Sequence, residues 1–382
     1  MPLAVFAVTV LVFSRSLGGE FLDWDDVSNL VTNPHYRGFN LRWIFGLHFV
    51  HWYPLTWLSF SLDHALWGLD PFGFHLTNVL LHGANAALFA SLTASPTAAL
   101  FFALHPLRVE SVAWITERSD LLSAFFLLAA VKWRGAGWYA AAVLSKASVT
   151  PLPLAWKPAR RPAYFALAAG AAVMAVLAQR KIGALWGAEQ LGLPERVGVY
   201  LYNAAFYVAK TVFPVGLVPL VPMPEDWTFP WLAASAVALM TAFAWRRRRW
   251  REGWLWYLLF LAPVAGLVKT GPQLVADRYS YLACLPFALL ARGRWTWPVL
   301  AVLAVLTWRQ QGVWKDSETF WRYTGESGVC AGWNNLGNAL LRKGDRAGAE
   351  AAYQEALLCR PGHPVAVENL SRLRQTAPKP RR

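Results

Sequence analysis

Apolar residues run along this chain in long blocks separated by short polar or basic stretches. The first block covers residues 2–18 and is broken only by Arg15. Others cover about 74–92, 96–104, 121–131, 137–156, 162–179, 199–221, 230–245, 252–268, 279–291 and 295–308. Runs this long and this free of charge predict helices packed in, or crossing, an apolar medium. The expected fold is all-α, a polytopic membrane helical bundle of about 10–12 transmembrane helices. Residues 2–18 lack the basic n-region and small-residue cleavage site of a signal peptide, so they are expected to stay as a first helix. Residues 20–50 are polar and aromatic and belong outside the hydrocarbon.

The pattern changes after Gln310. From Trp333 the chain reads W-x-x-L-G-x-x-L, followed by Gly344, Ala349, Tyr353, Ala356 and Pro361. Small and aromatic residues at these offsets let two helices pack closely, which is the tetratricopeptide pattern. Val367 and Leu370 begin a second repeat that stops near Arg374, and residues 378–382 are expected to fray. The organisation expected is a transmembrane domain over 1–311 and a short helical-repeat domain over 312–382.

Composition agrees. Hydrophobic residues make up 56% of the 382 and charged residues 15%, against about 25% charged in soluble domains. Disorder, a coiled coil and an ordinary cytosolic enzyme are excluded on that ground. The net charge of +14 reads as basic cytoplasmic loops touching lipid headgroups, not as nucleic-acid binding. Trp (22), Phe (22) and Tyr (12) suit interfacial aromatic belts. Cys284, Cys330 and Cys359 have no metal spacing and give no disulfide framework. Whether Cys330 and Cys359 pair is left open.

The basic clusters set orientation. Lys132/Arg134, Lys157/Arg160/Arg161, Arg246–Arg249 with Arg251, and Arg292/Arg294 are placed in the cytoplasm. Residues 105–120, Asp277/Arg278 and the C-terminus then lie outside. Parity makes Trp52–Trp67 a helix along the outer interface and 137–156 a shallow hairpin peaking at Lys146. Run 199–221 becomes a hairpin or an interfacial helix.

This topology gathers the dense polar clusters on one face: Asp23, Asp25 and Asp26; His105, Arg108, Glu110, Glu117, Arg118 and Asp120; Lys146; and Asp277, Arg278 and Tyr279. The adjacent Asp25 and Asp26 are candidates for a general base with a tuned pKa. Glu117 and Asp120, three apart, share a helical face. Lys146 in an apolar hairpin needs an anion, and a lipid phosphate is the natural one unless the ammonium snorkels to the interface. Arg278 could grip the same phosphate bidentately or pair with Asp277. His75, Asn78, His82 and Asn85 form a polar stripe suited to interhelical hydrogen bonds, with metal binding by His75 and His82 the weaker alternative.

Taken together, these motifs resemble the family of transmembrane proteins with tetratricopeptide repeats. That family carries a W-D-D motif after helix one and an H-P-x-x-V-E-S-V-A-W-x-x-x-R-x-D-L-L block. It also carries an L-S-K-E-S-like hairpin and an A-D-R-Y-x-Y-L motif. Here these read Trp24-Asp25-Asp26, residues 105–122, Leu144-Ser145-Lys146-Ala147-Ser148 and residues 276–282. Ala147 stands where the family has Glu, and the repeat array is shorter. The resemblance implies a GT-C glycosyltransferase fold. It also implies a polyprenyl-phosphate sugar as donor and an inverting transfer, of mannose or another hexose, to a protein hydroxyl on the extracytoplasmic face. By position, Asp25 is the implied base with Asp26 beside it. Lys146, Arg278 and Tyr279 meet the donor phosphate with Arg118 assisting, and His105 supports the motif. Glu110 or Asp120 orients the acceptor or a divalent metal, which the pattern neither requires nor excludes. The repeat would recruit the protein acceptor. The implied setting is the inner or plasma membrane of a prokaryote. Two other classes are carried beside this one. One is an O-antigen ligase or polymerase, disfavoured because the outer loops are acidic or mixed. The other is a membrane-anchored scaffold without catalysis.

Overall fold

The computed structural model describes residues 1–48, 51–183, 191–224, 227–267, 271 and 273–375. These are overwhelmingly helical, with one small antiparallel pair joining β1 (Val221–Pro222) to β2 (Gln273–Val275). The frayed end expected at 378–382 and the last residue of the 252–268 run lie outside the described residues.

The helical elements that place the site are α1 (Pro2–Phe13), α2 (Pro54–Trp67), α3 (Pro71–Thr93), α4 (Pro96–Ala103), α5 (Arg118–Trp133) and α6 (Ala136–Ser145). They continue with α7 (Pro162–Lys181), α8 (Leu193–Val212), α9 (Trp231–Trp245), α10 (Arg248–Leu261) and α11 (Thr296–Gln311). The tail supplies α12 (Ser317–Glu326), α13 (Cys330–Arg342), α14 (Arg346–Cys359) and α15 (Pro364–Gln375). Helix α3 is central, packing against α1, α4 and α5. Proline opens α1, α2, α3, α4, α7, α8 and α15, where its missing N–H costs nothing.

Among the described residues one helix, α7, is long and apolar enough by itself to cross a membrane; Pro2–Gly18 and Trp231–Trp245 are shorter apolar helices. Several expected runs are shorter or broken. Run 96–104 yields the eight-residue α4, about 12 Å of helix and too short to cross alone. Run 279–291 is not continuous: it divides into Ser280–Ala283 and Leu285–Ala288, with Pro286 unable to continue the hydrogen-bond ladder. Run 137–156 does turn at Lys146, whose extended backbone ends α6. Run 199–221 is no hairpin, because α8 is one helix that stops at Phe213.

The tail forms the expected antiparallel pair. A side chain at Gly337 would collide with the Tyr353 ring, so only glycine lets α13 and α14 approach. Gly344 turns the chain at φ 86°, in the left-handed region. Cys330 and Cys359, whose pairing the sequence leaves open, are joined as a disulfide. They are the first residue of α13 and the last of α14, which antiparallel packing makes neighbours. Opening this bond with Cys330→Ser should cost the tail about 2–4 kcal/mol, read as a lower unfolding midpoint on non-reduced protein.

Candidate active site

Residues 105–122 set the geometry. The His105 imidazole accepts from the Leu107 amide, and Pro106 starts a short turn. A one-turn helix, Val109–Ala113, breaks at the extended Trp114, and a further turn over Ile115–Glu117 leads into α5. This zigzag brings Glu110, Glu117 and Asp120 to one side. Arg118, one step round the helix from Glu117, faces the other.

On the first side two cations meet three carboxylates. Lys146 Nζ reaches Glu117 Oε2 at 2.9 Å and Asp120 Oδ1 at 2.8 Å. Arg278 Nε lies 3.3 Å from Glu117 Oε1, so Glu117 bridges the two cations. Glu110 pairs with the Arg278 guanidinium and accepts from its backbone amide at 2.9 Å. Gln273 accepts from the remaining Arg278 arm at 2.6 Å, and the Tyr279 ring lies 5.1 Å beneath the guanidinium. The strand–turn segment is fixed because the Tyr207 hydroxyl donates to the Ala276 carbonyl and accepts from its amide. Asp120, Lys146, Arg278 and Tyr279, with apolar Phe260, Val264 and Leu282, line one small pocket.

The two aspartates differ. Asp26 is fully buried and accepts from the Leu22 amide at 3.0 Å, the Thr116 amide at 2.9 Å and the Thr116 hydroxyl. It pins the loop to the 105–122 segment. Burial pushes its carboxyl up to about 7, against the pull of Thr116 and Leu22. Asp25 is half-buried, and among the described residues nothing donates to its carboxylate. Burial and the neighbouring Glu117 raise it to about 6, with Arg278 holding it down. Burial works against ionised Glu117, but Lys146 and Arg278 overcome it and hold that carboxyl near 2. Trp24 anchors the loop among Trp114, Phe320 and Trp321, with ring centroids 5.2–5.5 Å apart. Asp23 adds an ion pair to Arg342, so the repeat helices brace the loop that carries Asp25.

The structure therefore brings together Asp25, Glu110, Asp120, Lys146, Arg278 and Tyr279, and sets the other candidates apart. Arg118 is fully buried and ion-paired to Asp63 at 2.5 Å, with Asn78 and the Phe74 carbonyl taking its other N–H groups. It is a strut, remote from the phosphate cations, because its helical position points it away from Glu117. His105 is an end-cap whose Nε2 meets the Thr211 carbonyl. The anion that Lys146 needs is supplied within the chain by Glu117 and Asp120, where the sequence offered only a lipid phosphate or snorkelling. Arg278 pairs with Glu110 and Glu117 instead of Asp277. In the polar stripe, Asn78 donates to the carbonyls of Val112, Trp114 and Ile115, and His82 and Asn85 meet the Tyr281 hydroxyl. Among the described residues no three His, Cys, Asp or Glu side chains could hold a metal. Glu110, Glu117 and Asp120 are already paired with cations.

Sequence reasoning treated Glu117 only as sharing a face with Asp120, and missed its bridging position. It also missed Asp63, Thr116 and Gln273. Asp63 gave a usable signal, since a carboxylate inside an aromatic helix demands a cation.

A tetratricopeptide repeat family matches residues 330–363. Mouse "Protein O-mannosyl-transferase TMTC1" is 37% identical over 147 residues, covering 32% of this chain and 16% of the relative. Human "Protein O-mannosyl-transferase TMTC2" is 46% identical over 84 residues, 20% of this chain and 10% of the relative. The human protein of the same description numbered TMTC4 is 31% identical over 160 residues, 33% of this chain and 22% of the relative. Over these stretches the chain is similar to the TMTC proteins, and its tail carries a tetratricopeptide repeat. The chain spans 10–22% of the length of these relatives. No solved structure matches it.

Proposed function

We propose that this TMTC-like chain is a polytopic membrane glycosyltransferase that moves a hexose, with mannose favoured, from a polyprenyl phosphate to a protein hydroxyl outside the cytoplasm. The observation that carries the reading is the cluster itself: two cations held by three carboxylates beside an aspartate to which, among the described residues, nothing donates. The names of its relatives support the same class. Exposed Leu177, Trp231, Leu232, Leu239, Trp295 and Val302 support contact with lipid.

In this reading Asp25 takes the proton from the acceptor hydroxyl as its oxygen attacks the anomeric carbon. The new C–O bond forms as the bond to the phosphate oxygen breaks, and the phosphate leaves with that electron pair. Charge growing on the leaving group is met by Lys146 and Arg278. Their carboxylate partners do not exhaust them. Lys146 has three N–H groups and Arg278 five, so each keeps donors for phosphate while Glu117, Asp120 and Glu110 hold it in place.

A base near 6 sets the pH dependence. Asp25 is active when ionised, so kcat/KM should be level above about pH 7 and fall roughly tenfold per unit below 6. A profile flat to pH 4.5 would remove Asp25 as the base. The Cys330–Cys359 bond suits an oxidising compartment and so supports an extracytoplasmic tail. Alkylation of protein taken directly from cells should tag Cys284 alone after unfolding. Full tagging of Cys330 and Cys359 would place the tail in the cytoplasm. The decisive assay compares cell-envelope proteins with and without the gene by mass spectrometry. Loss of hexose from Ser or Thr residues is the expected result, and an unchanged glycan inventory defeats the proposal.

A further inference from the structure

Helix α10 joins two places of opposite chemistry. Its C-terminal end supplies Phe260 to the site wall. Its N-terminal end borders a groove of about 780 Å³ whose rim carries Lys157, Arg160, Arg248 and Arg251. The walls below that rim are apolar, with Leu92, Leu128 and Val131 facing Leu255 and Leu289. One carboxylate, Glu252, sits on the rim, and it is held by Arg248 at 3.0 Å. Among the described residues no ion pair reaches Lys157, Arg160 or Arg251. The first turn of α10 has no acidic residue and no side-chain cap, so its N–H groups and dipole add to the positive potential.

We infer that this groove binds an anionic glycerophospholipid, its phosphate at the Lys157–Arg160–Arg251 rim and its acyl chains along the Leu128–Val131 wall. A free phosphate would use the rim and leave the apolar volume unfilled. A zwitterionic lipid would fill the volume and leave three cations without an anion. Only an anionic amphiphile answers both. From Arg248 to Phe260 the helix rises about 18 Å, so a headgroup at the rim lies too far from Lys146 and Arg278 to be the sugar donor. The groove is thus separate from the proposed reaction, and its occupancy can be measured whether or not transfer occurs.

The test is native mass spectrometry of the full chain in detergent with equimolar phosphatidylglycerol and phosphatidylcholine. The wild type should retain phosphatidylglycerol with about tenfold preference or more. Replacing Lys157, Arg160 and Arg251 by Gln together should bring the preference to near parity, whereas Arg309→Gln, away from the groove, should leave it intact. Val131→Trp, which fills the apolar part and keeps every rim charge, should lower phosphatidylglycerol retention about fivefold or more. This variant decides the matter if the triple substitution fails to fold. Undiminished preference in the triple variant or in Val131→Trp overturns the inference. So does equal retention of both lipids by the wild type, or displacement of the lipid by a millimolar excess of inorganic phosphate.

Discussion

Asp25→Asn should lower transfer by about 10²-fold or more while expression and melting temperature stay at wild-type values. The substitution keeps the shape of the side chain. Among the described residues no donor points at the Asp25 carboxylate, so the amide breaks no hydrogen bond. What disappears is the basic oxygen beside Glu117 and Arg278. Asp26→Asn should behave in the opposite way. Its two oxygens accept three hydrogen bonds from Leu22 and Thr116, and an amide NH₂ must face a donor on one side. Leaving a buried donor unmatched costs about 1–3 kcal/mol, so Asp26→Asn should lower stability, with activity falling because the loop slips. Measured side by side, turnover per folded molecule separates the two. An active Asp25→Asn with a stable but inactive Asp26→Asn would move the base by one residue.

Some of this was readable along the chain and some was not, for physical reasons. The tetratricopeptide hairpin follows from fixed offsets, since Gly337 against Tyr353 is a packing requirement written directly in residue size. The approach of Lys146 to Arg278 was legible as convergence of polar clusters on one side of apolar runs. The partners of Lys146 were not. Glu117 and Asp120 precede it by 29 and 26 positions, and their meeting depends on α6 stopping at Ser145 after the chain reverses at Arg134. Arg118 illustrates the limit of motif reading. It lies inside the most specific block, yet one step round a helix turned it from the cations toward Asp63. Helix lengths were overread where proline interrupts an apolar run, because hydropathy does not register the N–H that Pro286 lacks. The disulfide could not be drawn from three cysteines alone, but the ends of an antiparallel helix pair bring Cys330 and Cys359 together.

Lys146→Ala should destabilise the protein by about 3–5 kcal/mol, the cost of leaving buried charges without their partner. The Lys146, Glu117 and Asp120 side chains are 17%, 13% and 9% exposed, so water cannot replace the lost ammonium. Loss of transfer in that variant would not by itself separate a donor contact from a collapsed site. A charge-balanced variant does. Lys146→Met combined with Glu117→Gln and Asp120→Asn removes one positive and two negative charges and keeps side-chain volumes close to the originals. Most of the lost stability should return, read as recovery of the thermal midpoint. Transfer should stay low, and the KM for the lipid-phosphate donor should rise further than the KM for the acceptor. The ammonium that met the leaving phosphate is still missing, and Arg278 has lost the Glu117 that aimed it. If the balanced variant recovers both stability and donor KM, Lys146 serves only to neutralise Glu117 and Asp120, and the phosphate falls to Arg278 alone.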